Sequence, residues 1–527
     1  MKRIQLPFIY QNHMMLQREK ELLICGTCLT GRTVKIQLDT TTETVSVEKG
    51  QFCCHFPAQS AGVGKILTFY VDHENEPEIT ISDISIGELW LAAGQSNMEY
   101  FLRYDAHWND TKKLPPNKNI RMFNMPQIAY EGQERDLPDS GYWFEEGDKA
   151  WAVFSAPGYY FARNIQPALD VPVGIIGCNW GGTPACAWMA ESYLEKEPLS
   201  IFVKEYLDSV QNKSEDAMNQ ESMDAWAFED SYHHQLEWRT MMYGLTLEEQ
   251  AQWMEIHKAD PVLPLGPYHH YRPSGLYHTM IEKLAPFSLK GILWYQGESD
   301  SGHAEIYDQT MTSLIACFRD AFADSTLPFL FTQLAPFGVW LDCTGENYEI
   351  IREKQDYVSK HVPHTAMISL MDLGMYEDIH PKHKREVGRR LALLARGSVY
   401  GESLLCESPE LLSATLENCT ITLDFAHAGT GLIWEGTPEK EFRITYQQQA
   451  CFIYGCYVNQ SKIIFTFSLP KTAIYSNTAN SLPESTPCFD ATDTTYEVSY
   501  CYQPYCSGNI WNNKKLPLKP FHVTLRF

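Results

Sequence analysis

Ser96, His380, an acid beside His380, the pair Gly181-Gly182 and Gln296 form an inventory that suits one reaction, acyl transfer. A serine hydroxyl needs a base to become a nucleophile, and histidine is the usual one near neutral pH. The imidazole needs an acceptor that fixes its tautomer. A tetrahedral intermediate needs donors aimed at its oxyanion, which the Gly181-Gly182 amides and the Gln296 carboxamide can supply. No Gly-x-Ser-x-Gly pentapeptide occurs, which argues against the α/β-hydrolase arrangement.

These residues must be brought together by the elements that precede them. Gly94-Gln95-Ser96-Asn97-Met98 follows the apolar run Leu89–Ala93, which reads as a buried strand, and Met98–Leu102 can start a helix. Asn179-Trp180-Gly181-Gly182-Thr183-Pro184 follows a run at 171–178. Trp294-Tyr295-Gln296-Gly297-Glu298-Ser299 closes a run at 291–295. Asp378-Ile379-His380-Pro381 comes shortly after a run at 365–371. With a fifth run at 327–334 and helical stretches between them (Met311, Leu314, Ile315, Phe318 and Phe322 share one helix face), the pattern predicts a mainly parallel sheet covered on both sides. In such sheets ligands sit beyond the carboxyl ends of the strands, so distant motifs can share one pocket.

The α/β stretch spans 86–403. Residues 1–85 alternate short β-rich runs with glycine turns, and residues 404–527 return to β character, giving three expected domains. Residues 192–285, rich in Trp, Tyr, Met, His and acidic groups, break the alternation and read as a partly helical insertion, a lid or substrate wall. The chain has 527 residues, 44% hydrophobic and 20% charged, and a net charge of −24, which excludes nucleic acid and anionic membrane as partners. No apolar stretch is long enough to span a bilayer, and the basic start lacks a secretory apolar region, so a cytoplasmic location is expected. The 15 cysteines read as free thiols. No metal site is read: Cys25-Gly26-Thr27-Cys28 has no complementary pair, and His269-His270 and His380 with His383 lack the spacing and third partner of a catalytic zinc. Composition leaves the oligomeric state open.

The chain resembles the sialate O-acetylesterases, within the SGNH (GDSL-like) hydrolase superfamily. The matching stretches are Gly87–Glu99, Trp180–Pro184 with Trp188-Met189, Gly291–Ser299 and Asp378–Pro381. Met14–Arg18 is similar to the family's N-terminal signature and Leu516–Phe521 to its ending. The resemblance implies an SGNH-type three-layer hydrolase domain flanked by β-rich domains, and a cofactor-free esterase that removes O-acetyl groups from sialic acids. It implies Ser96 as nucleophile, His380 as base, and an oxyanion hole built from the Ser96 amide, Gly181 or Gly182, and Gln296. The superfamily places its aspartate three residues before the histidine, where Glu377 stands here. Asp378, two before, is the expected acid, with Glu377 in reserve or a Ser96–His380 dyad. Glu298 is expected to hold the Gln95 and Asn97 turn. Arg163 and Arg272 are candidates for a substrate carboxylate, which an arginine fork fits bidentately. The same machinery would serve an acetylxylan esterase, because the motifs concern acyl transfer and not the sugar.

Overall fold

The computed structural model describes residues 3–468 and 495–526, apart from positions 73, 212, 286 and 418. Met1 and Lys2 of the basic start lie outside the described residues. By contact the chain divides into two compact units. The first is the chain up to Phe331 with Val358–Ala366 and Lys382–Leu393. The second is Thr332–Tyr357, Met367–Pro381 and Leu394 onward.

The first unit is organised by one strand of 16 residues, β1 (Ile79–Gly94). Its first half pairs antiparallel with Gly62–Val71 and, at Ser85–Gly87, parallel with Met15–Gln17. Its second half is the centre of a parallel sheet whose other strands are β2 (Ile120–Asn124), β3 (Trp143–Phe144), β4 (Val173–Asn179), β5 (Gly291–Tyr295), β6 (Phe329–Thr332) and β7 (Thr365–Ile368). The order is β3-β2-β4-β1-β5-β6-β7, with β3 antiparallel at one edge. Residue 85, where the composition changes, therefore falls inside a strand and not in a linker. Leu89–Ala93 are fully buried because both faces of the sheet are covered, which is why they read as an unbroken apolar run.

The helices include α1 (Ser96–Glu99), α2 (Ala156–Leu169), α3 (Tyr232–Gly244), α4 (Tyr307–Ala321) and α5 (Lys384–Ser398). Phe161 of α2 meets Trp90 edge-on at 4.9 Å. Phe318 of α4 meets Trp294 at 5.8 Å. Trp294 is in register with Ala93, the neighbour of Ala92 and so on the other face from Trp90; the two helices cover opposite faces. The helix-face residues Met311, Leu314, Ile315, Phe318 and Phe322 are all buried. Burial of side chains this size contributes about 1.5–3 kcal/mol each, so this sandwich of helix, sheet and helix fixes the strand ends.

The insertion is helical: Ser200–Val210, Glu215–Glu229, α3 and Leu247–Ile256 follow one another. Ser214, Ser231 and Thr246 cap three of these helices, the last with Glu249 in a capping box. In the second unit, one four-stranded antiparallel sheet holds Thr420–Ala426 and Lys462–Ser468, and another holds Phe442–Tyr446 and Thr495–Tyr500. Their alternating residues Ile421, Leu423, Phe425, Phe442, Ile463, Phe465, Tyr496 and Val498 share one core. β2 and β3 are strands that the sequence reading does not include. The free-thiol reading is corrected at Cys25 and Cys53, which are disulfide-bonded to each other, and at Cys419, which is also disulfide-bonded. The antiparallel strands Leu22–Cys28 and Gln51–Phe56 set Cys25 and Cys53 directly opposite, a pairing that sequence spacing does not reveal.

Candidate active site

In the first unit three of the motifs leave the sheet at one level. Gly94 at the end of β1 pairs with Asn179 of β4 on one side and Tyr295 of β5 on the other. The next residues of each strand, Gln95-Ser96, Trp180-Gly181 and Gln296-Gly297, therefore emerge together. Gly94 has φ +139°, and a Cβ there would stand 2.2 Å from the Tyr295 carbonyl oxygen, so only glycine allows this turn. The chain turns at once into α1, where the Ser96 carbonyl accepts the Tyr100 N–H at 2.8 Å. A Cβ on Gly181 would lie 3.4 Å from the Ser96 Cβ, which places the glycine pair beside the serine.

The supporting residues are tightly bonded. Gln95 Oε1 accepts the backbone N–H groups of Gly297 and Ser299, both at 3.3 Å. Asn97 Nδ2 donates to Glu298 Oε1 at 2.6 Å, and the fully buried Lys384 of α5 donates to Asn97 Oδ1. Glu298 thus holds the turn through Asn97, while Gln95 holds the Gly297–Ser299 backbone itself. Burial pushes the Glu298 carboxyl up, and the Asn97 bond and Lys384 oppose that shift.

The two glycines are not equivalent. The Gly181 N–H donates to Glu99 Oε2 at 2.7 Å, so it is committed to a carboxylate of the chain itself. The Gly182 N–H has no hydrogen-bond partner among the described residues, and its φ of +75° is the glycine conformation. The Gln296 carboxamide is fully buried and engaged at both ends. Its Nε2 donates to Asp300 Oδ2 and, at 3.4 Å, to the Thr183 carbonyl; Tyr307 donates to its Oε1 at 3.0 Å. Asp300 also accepts the Ala185 N–H at 3.0 Å, so Gln296 ties the β5 turn to the loop after β4.

Glu99, Gln127 and Arg239 form a cluster that sequence reasoning missed. Arg239 Nη2 of α3 lies 2.8 Å from Glu99 Oε1, and Gln127 Nε2 donates to the same oxygen at 3.1 Å. The three line a cavity of about 100 Å³ with Asn124, Asn179 and Gln235. Glu99 is three residues after Ser96, a spacing that sets both on one side of a helical turn and could have pointed to it. Nothing in the sequence marks the distant Arg239. Replacing Glu99 with alanine leaves the Arg239 guanidinium, 15% exposed, without its carboxylate. Breaking such a pair costs about 3–5 kcal/mol. The Arg239→Ala, Glu99→Ala double variant should unfold at a higher temperature than Glu99→Ala alone; equal or lower melting would show that the pair is not the source of the loss.

Beyond Trp180 lies an aromatic stack. Trp180 stacks on His270 at 4.6 Å, and His270 on His269 at 4.6 Å. The Arg135 guanidinium lies 5.3 Å from the Trp180 ring and pairs with Asp230 at 2.6 Å. Burial pushes the His269 pKa down to about 4 and that of His270 down as well. Unfolded imidazoles take up protons below about pH 6.5 and these folded ones refuse them. Stability should therefore fall as pH drops from about 6.5 towards 4, and stay level in this respect above it. Melting curves between pH 7.5 and 5 check this; replacing both histidines with glutamine should flatten the trend, and an unchanged slope would refute it.

The sequence-predicted arginines lie elsewhere. Arg163 Nη1 contacts both oxygens of Glu146, at 2.9 and 3.0 Å, and its Nη2 donates to the Pro115 carbonyl. It is a structural partner of a buried carboxylate. Arg272 packs over Gly275 with its Nε buried, and no hydrogen bond or ion pair joins it to the three turns.

His380 and Asp378 lie in the second unit. Asp378 Oδ1 accepts the His380 backbone N–H at 2.7 Å and stands 3.5 Å from Nδ1 of the ring. Trp340 packs edge-on against the imidazole at 5.2 Å. Asp378 and His380 are buried, whereas Glu377 is exposed.

The comparisons with known proteins point to carbohydrate esterases. Residues 266–395 match the family model described as carbohydrate esterase, sialic acid-specific acetylesterase. The chain is 26% identical over 433 residues to the sialate O-acetylesterase of Rattus norvegicus, covering 75% of this chain and 73% of that protein. It is 25% identical over 434 residues to that of Homo sapiens, covering 76% and 72%. Its fold is that of a carbohydrate acetylesterase from Xanthomonas citri, with a TM-score of 0.70, 24% identity, and 99% of each chain covered. The chain is thus similar to sialate O-acetylesterases along about three quarters of its length, and it is a carboxylic ester hydrolase. No helix among the described residues is long and apolar enough to cross a membrane.

Proposed function

We propose that this enzyme removes O-acetyl groups from sialic acids through an acetyl-enzyme on Ser96. The observation that carries the reading is the shared register of Gly94, Asn179 and Tyr295, which delivers Ser96 and the Gly181-Gly182 turn to one place. Ser96 Oγ attacks the acetyl carbonyl carbon while His380 takes its proton. Asp378 holds the imidazole in the required tautomer. The Ser96 and Gly182 amides receive the oxyanion. Gly181 and Gln296 join them only by exchanging the bonds they make to Glu99 and Thr183. The tetrahedral intermediate expels the sugar hydroxyl, which takes the proton from His380. Water then attacks the acetyl-enzyme with His380 again as base, releasing acetate.

The domain reading that goes with this function is an SGNH-type three-layer core at 86–403, carrying the helical insertion, between β-rich regions at 1–85 and 404–527. The sialic acid assignment rests on the family match and the curated relatives' names. The purified enzyme should release acetate from O-acetylated sialic acid with kcat/KM far above that for acetylated xylan. The opposite order would make it a polysaccharide acetylesterase using the same residues.

A further inference from the structure

We infer that Cys501, Cys506 and Glu441 of the second unit form a zinc site. The two Sγ atoms and a Glu441 carboxylate oxygen all lie within 4.8 Å of one another. A tetrahedral zinc with its usual bond lengths holds sulfur and oxygen ligands about 3.5–3.8 Å apart, so a small contraction closes the set. The backbone already aligns it. Phe442 and Tyr500 are paired in the antiparallel sheet, and the Cys501 N–H donates to the Glu441 carbonyl at 3.0 Å, extending that ladder by one step. The loop 501–506 then returns the second cysteine to the first, and the Cys506 thiol lies 3.8 Å from the Cys501 carbonyl.

A neighbouring charge is compatible with the ion. Arg352 is fully buried, and its guanidinium donates only to the carbonyls of Gln503 and Pro504, within the Cys501–Cys506 loop. No carboxylate lies within ion-pair distance of it among the described residues. An unpaired buried cation is costly. A zinc ion with two thiolates and one carboxylate carries a net charge of −1, the same as two thiols beside an ionised Glu441, so Arg352 tolerates the bound ion without opposing it. Soft thiolates with one carboxylate select zinc over magnesium or calcium. Binding releases two thiol protons to solvent and transfers no electrons. The site acts on the stability of the second unit.

The test uses the full chain purified with a reductant, incubated with zinc sulfate and passed through a desalting column. Elemental analysis should find about one zinc per chain. Cobalt(II) in its place should give the near-ultraviolet thiolate-to-metal band and the visible bands of a tetrahedral site. Cys501→Ser with Cys506→Ser should lose both signals and the zinc-dependent rise in melting temperature. Glu441→Gln keeps both thiols and covers the case in which the double variant does not fold. It should bind zinc at least roughly 10-fold more weakly in competition with a chelator. Zinc below a tenth of an equivalent with no cobalt spectrum overturns the inference. So does zinc retained unchanged in the double variant, or a Cys501–Cys506 disulfide that persists under reductant and excludes zinc.

Discussion

Replacing Ser96 with alanine should lower kcat on a small acetyl ester by about 10⁶ while leaving the fold intact. Loss of a nucleophile that acts as one unit with its base typically has that size. The side chain is small and sits in the turn between β1 and α1, whose geometry is held by Gly94 and by the Gln95 and Asn97 bonds. The melting temperature should therefore change little. Steady-state hydrolysis and a thermal melt on the same preparation decide it. More than a few per cent of residual activity would remove Ser96 from the mechanism. A comparable loss of stability would mean the variant reports on folding instead.

Asp378→Asn should cut kcat by about 10⁴, because an amide beside the imidazole favours the wrong tautomer. Glu377→Gln should stay close to the wild-type rate. The geometry separates the two acids: Asp378 Oδ1 stands 3.5 Å from the ring nitrogen and also fixes the His380 backbone, while Glu377 is exposed. The asparagine variant retains an oxygen that can accept the His380 N–H, so the loop should hold its shape and the defect should fall on kcat. A severe defect in Glu377→Gln with a mild one in Asp378→Asn would reverse the roles. Mild defects in both would leave a Ser96–His380 dyad with a backbone acceptor.

The strands that carry the motifs were legible because burial on both faces writes a run such as Leu89–Ala93 as continuous apolar sequence. Their polar exits were legible because acyl transfer restricts which residue types can stand there. The edge strands β2 and β3 were not. Trp143–Phe144 is only two residues long, and Ile120–Asn124 carries Arg121 inside it, so neither writes an uninterrupted apolar run.

The sequence by itself determined the reaction class, the placement of the motifs after strands of a mainly parallel sheet, and Ser96 as the residue to test. These follow from local composition and residue chemistry. The tertiary structure decided which groups are committed to one another. It joins the Gly181 amide to Glu99, Glu99 to Arg239 of a distant helix, and Gln296 to Asp300. It sends Arg163 to Glu146, and it sets Arg352 beside Cys501 and Cys506. Apart from Gln296 and Asp300, four residues apart, such partnerships span tens to hundreds of residues, and all depend on register and packing. A hydrogen bond is decided within a few tenths of an ångström, a scale that no spacing along the chain encodes.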